Sequence, residues 1–141
     1  MSRKQLLVAR VLFVLYLIAV TWLCFGNFQS LPDVDRYIWG IPTDKFVHFG
    51  MFLPFPILAY FAFDRYSDRR RTSVLRTLAA FAAGALVAAL TEYGQARLTT
   101  WRSGDANDLK ADLLALAAGT VFILLLDLRK QNRPCEDSSS C

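Results

Sequence analysis

The residues able to do chemistry in this chain fall in three short runs. Lys45 and His48 stand three apart, Glu92 and Gln95 repeat that spacing, and Asp105, Asp108 and Asp112 follow at separations of three and four. On a helix each of these spacings puts side chains on one face, so three helices could present polar stripes to a common point. Arg102 offers a bidentate fork for a phosphate and Lys45 a point charge, so Lys45, Gln95 and Arg102 are the candidate substrate-binding residues. His48 is the only histidine, with a proton affinity suited to transfer near neutral pH. His48, Glu92, Asp105 and Asp108 are the candidate catalytic residues.

Each of these residues also has a structural reading. Lys45 and Arg102 could snorkel to headgroups, and His48 could be a hydrogen-bonded core group. Glu92 follows a long apolar and small-residue stretch, where a lone carboxylate is costly, and a salt bridge to Lys45 or Arg102 would resolve that cost by locking two helices together. Asp105 or Asn107 could cap the last helix. Asp105 and Asp108 could bind a divalent cation with Glu92 and His48, the imidazole tilting the choice from Mg²⁺ or Ca²⁺ towards Zn²⁺ or Mn²⁺. No metal-binding motif is visible, however. Capping and a charge network with Arg97, Arg102 and Lys110 account for these aspartates, and neither a metal nor a cofactor is assigned.

The elements that must position these groups follow from composition. The chain has 141 residues, 55% of them hydrophobic, and a mean hydropathy of +0.32, too apolar for an ordinary soluble domain of this length. A bilayer core of about 30 Å takes roughly 20 helical residues, and windows near 6–25, 46–63, 74–92 and 109–128 meet that length. The expected fold is all-α, an integral membrane bundle of four transmembrane helices. The first is an uncleaved, lipid-facing anchor with Arg10 near its start. The second carries Pro54 and Pro56, which remove two backbone donors and should kink it. Small residues at 79–85 make the third the expected packing hub, and the fourth packs through Ala111, Ala115, Ala117, Ala118 and Gly119 before turning to lipid-facing residues. The aromatic series Phe46, Phe49, Phe52, Phe55 and Tyr60 reads as lipid-facing or packing surface, or as a groove for an isoprenoid tail.

The net charge of +4 comes from basic residues beside the apolar windows, which is a topology signal, and nucleic acid is not an expected partner. With a cytoplasmic amino terminus, eleven of the sixteen basic residues fall inside and only Arg36, Lys45, Arg97, Arg102 and Lys110 outside. Both termini are then cytoplasmic and the polar stripes face outwards. Trp22, Trp39 and Trp101 fall at the same outer ends, as an interfacial belt would. Cys24, Cys135 and Cys141 show no metal or disulfide spacing. Three parts follow: 1–42 as first helix and outer loop, 43–128 as the region holding the stripes, and 129–141 as a polar tail.

The run Asp44-Lys45-Phe46-Val47-His48-Phe49, then Glu92-Tyr93-Gly94-Gln95, then Arg102 with Asp105 and Asp108, and a small-residue helix ending at Gly119, resembles the VanZ-like membrane proteins over 43–126. Two positions depart from the pattern: Asp112, where the family usually carries Asn, and Ala115, where it usually carries Gly. The resemblance implies a bacterial cell-envelope protein of the cytoplasmic membrane, linked through the family's namesake to resistance to the glycopeptide teicoplanin. It supplies no reaction. The expected function is binding or processing of an anionic lipid-linked intermediate, its headgroup at Lys45, His48 and Arg102 and its chain between the second and third helices. The alternative is a non-enzymatic accessory or assembly factor whose polar cluster is structural. A proton-coupled transporter is a weaker option that would need a homo-oligomer. Membrane lipids are partners on every reading.

Overall fold

The computed structural model describes residues 2–26, 37–38, 40–63, 70–99 and 106–131. Its helices are α1 (Arg3–Phe25), α2 (Thr43–Phe52), α3 (Pro54–Phe63), α4 (Arg70–Leu98) and α5 (Ala106–Gln131), preceded at α2 by a two-residue ladder of β1 (Tyr37–Ile38) and β2 (Ile41–Pro42). Gly40 sits in the turn of that ladder at φ +78°, a left-handed conformation that suits glycine. Taking α2 and α3 as one broken span, four helical stretches are long and apolar enough to cross a membrane. The protein is an all-α, multi-pass membrane bundle.

Helix α1 opens on a capping box in which the Ser2 hydroxyl accepts from the Gln5 N–H and the Gln5 side chain accepts from the Ser2 N–H. Phe13, Val20 and Cys24 form its buried stripe, while Leu7, Val11, Leu15, Ile18 and Trp22 are exposed. That split suits a helix with lipid on one side. Arg10 does more than snorkel: its Nε donates to the Ala62 carbonyl at 3.2 Å, among the last carbonyls of α3, which have no partner within their own helix. The expected break in the second span is present at Leu53, between α2 and α3. The Tyr16 hydroxyl donates to the Met51 carbonyl beside it.

Lipid supplies no hydrophobic drive between helices, so close packing must hold them together. The hub in α4 is narrower than the small-residue run suggests. Ala79, Ala82 and Ala83 are exposed, and the buried face runs Ser73, Thr77, Gly84, Ala88, Thr91, Glu92, Gln95. A helix has only one face per stripe, so a continuous small-residue run must turn part of itself to lipid. In α5, Asp112, Ala115, Leu116, Gly119, Thr120 and Ile123 face inwards and Val121, Phe122, Leu125 and Leu126 outwards. Gly119 lies against the break: a Cβ there would stand 2.7 Å from the Leu53 carbonyl oxygen and 2.6 Å from Pro56 Cγ. Of the aromatic series, Phe52 and Phe55 are core and Phe46 is exposed.

Candidate functional site

Above that crossing, α2, α4 and α5 bring their polar stripes to one point. Thr43–Phe52 is helical despite its β-branched and aromatic content because its inner face packs on α5, and this turns His48 inwards to 2% exposure. The His48 Nδ1 lies 3.1 Å from Asp112 Oδ1 and 3.7 Å from Glu92 Oε1, and Nε2 lies 3.8 Å from Asp108 Oδ2. Asp108 Oδ1 in turn accepts from Lys45 Nζ at 3.0 Å. One imidazole therefore touches or nearly touches three carboxylates, and one lysine holds the outermost of them.

Spacing explains who meets whom. Lys45 and His48, one turn apart on α2, face Asp108 and Asp112, one turn apart on α5, so the two pairs register rung by rung. Glu92 closes the cluster from α4, six residues inside that helix rather than at its end. When Asp112 is ionised its oxygen only accepts, and the 3.1 Å contact then takes its proton from Nδ1. Nε2 is left facing the Asp108 carboxylate from beyond hydrogen-bond range. Asp112 Oδ2 is buried and takes no hydrogen bond among the described residues.

Of the candidates read from sequence, Lys45, His48, Glu92 and Asp108 converge. Gln95 is buried on the same face of α4, but its Nε2 donates to the Cys24 carbonyl at 2.8 Å and ties α4 to the end of α1. Arg102 and Asp105 lie outside the described residues, as do Trp39, Trp101 and the tail from 132. Asp112, read from sequence as part of the third polar run but given no catalytic or binding role, makes the shortest contact to His48. Its signal was the i+4 spacing from Asp108.

Beside the cluster, Lys45, Asn107 and Lys110 head a groove of about 490 Å³ between α2 and α5, floored by Phe46, Phe49 and Leu114. A second groove of about 390 Å³ lies between α1, α3 and α4, lined by Phe13, Phe55, Phe63, Ala80 and Ala83 with Arg76 among its walls. Only the first includes a residue of the cluster. The groove beside Lys45 runs between the second and fourth spans, and the other one reaches between the second and third, where the sequence reading placed a lipid chain. Family models, curated proteins and solved structures contain no match to this chain.

Proposed function

We propose that this protein binds an anionic lipid-linked intermediate of the bacterial cell envelope and handles protons on its headgroup. The observation that carries the reading is the α2–α5 groove, with two lysines at its head and apolar walls beneath, the polarity pattern of a phosphate on a hydrocarbon chain. Lys45 belongs to both the groove and the cluster, so a phosphate held there lies next to Asp108 and His48. Arg102, by its residue type, is the further phosphate ligand. The VanZ-like sequence pattern supports an envelope role and a link to teicoplanin resistance. The excess of Lys and Arg on one side of the spans supports cytoplasmic termini in the inner membrane and an outward-facing cluster.

Binding of a polyprenyl phosphate to the protein in nanodiscs tests this reading. Removing Lys45 or Arg102 as Ala should each weaken binding by at least about fivefold, the worth of one cation at an anionic headgroup. Equal retention by wild type and both variants would sink it. A structural reading is favoured by the two polar contacts that tie α2 to α5, and it has a different signature: Glu92→Gln would then cost folded protein in detergent. On the lipid reading Glu92→Gln leaves folding intact and abolishes turnover.

A further inference from the structure

We infer that His48, Glu92 and Asp108 form a binding site for one divalent transition-metal ion, Zn²⁺ or Mn²⁺, with Asp112 as its positioning residue. The site goes beyond the lipid reading and does not depend on it. The three side chains are buried and come from three different helices, and each offers a donor atom within 4.8 Å of the others. Donors bound about 2.0 Å from a common Zn²⁺ in a tetrahedron stand roughly 3.3 Å apart, so modest carboxylate rotations would close the set.

Two further observations point the same way. The first is the state of the imidazole. Its Nδ1 is engaged by Asp112, with Glu92 Oε1 3.7 Å from the same nitrogen, and its Nε2 faces Asp108 Oδ2 at 3.8 Å, too far for a hydrogen bond. That separation leaves room for one cation bound by both atoms. Histidines that ligate metals commonly give their other N–H to a carboxylate, which is the arrangement Asp112 makes here. The second is Asp112 itself, fully buried with Oδ2 unpartnered among the described residues, an expensive feature in a bundle interior unless a positive charge lies close by.

The donor set selects the ion. Two carboxylates with one imidazole favour Zn²⁺ or Mn²⁺ over the all-oxygen preference of Mg²⁺ and Ca²⁺. Three protein ligands leave a position open to water or to a phosphate oxygen. Lys45, on the other oxygen of Asp108, stands where it would neutralise such an anion.

The test uses the full chain in detergent, purified without a polyhistidine tag, stripped with a chelator and titrated with ZnCl₂ or MnCl₂. Bound metal is counted by mass spectrometry and affinity measured by calorimetry, with circular dichroism confirming helical content in every variant. One equivalent should bind to wild type, none to His48→Ala or Glu92→Gln, and Asp112→Asn should bind about 10- to 100-fold more weakly. Asp127→Asn, at the far end of α5, should bind as wild type does. Wild type that takes up neither ion overturns the site, and so does wild-type affinity in the His48 and Glu92 variants or an equal loss in Asp127→Asn. Failure of wild type to take up either ion overturns the site whether or not a variant folds, and Glu92→Gln, the milder change, locates the ion if His48→Ala does not fold.

Discussion

The crossing of α3, α4 and α5 and the polar end above it are built on opposite principles. At the crossing, space is used up. The missing Cβ of Gly84 is replaced by Leu116 Cδ2 at 2.6 Å and Phe55 Cδ1 at 3.0 Å, and that of Gly119 by Pro56 and the Leu53 carbonyl. The unpartnered buried side-chain atom there, among the described residues, is a neutral hydroxyl, Thr120 Oγ1. At the polar end, acceptors outnumber donors among the described residues, since Glu92, Asp108 and Asp112 surround one imidazole and Lys45. The first region satisfies packing; the second buries three carboxylates around one imidazole, a costly concentration of like charge. Local violations of that kind are where function is expected.

The largest effect that sharpens this contrast is at Gly119. An added methyl there meets a backbone carbonyl at 2.7 Å, which cannot swing aside, whereas at Gly84 it meets the flexible ends of side chains. Gly119→Ala should cost about 1–3 kcal/mol by overpacking, and Gly84→Ala less. Thermal unfolding in detergent reads both. Equal tolerance at the two positions would mean that the crossing is looser than its distances imply.

The opposite pattern is expected at Asp112. Removing one charge from an acceptor-rich cluster while keeping an oxygen for His48 Nδ1 should leave the metal-free protein as stable as wild type or slightly more so. The same Asp112→Asn change weakens metal by about 10- to 100-fold, so the cost appears in binding, at roughly 1.4–2.7 kcal/mol. A stability loss matching that at Gly119 would instead make Asp112 part of the packing.

Most of the frame was legible because hydrophobic length and proline chemistry are written in residue types. The four spans follow from runs of about 20 apolar residues, and the break at Leu53 from two prolines whose missing N–H groups no neighbour in sequence can supply. The convergence of Lys45, His48, Glu92 and Asp108 was also foreseeable, since charges in a bundle must find one another. What sequence could not reveal are contacts to backbone. Arg10 ends on the Ala62 carbonyl and Gln95 on the Cys24 carbonyl, and a carbonyl has no residue-type signature. Asp112 was visible as the i+4 neighbour of Asp108, but spacing alone does not say which of the aspartates on one stripe meets the imidazole.

Gln95 decides where the boundary between the two regions lies. It is one turn from Glu92 on the same buried face, which is why its spacing reads as part of the site, but its amide is committed to α1. An interhelical hydrogen bond in a membrane bundle contributes about 0.6 kcal/mol, so Gln95→Leu should lower stability by about that amount, the smallest effect considered. Metal and polyprenyl phosphate binding should not change. A selective loss of either ligand with stability intact would move Gln95 back into the polar end, and would mean that the Cys24 contact gives way when the site is occupied.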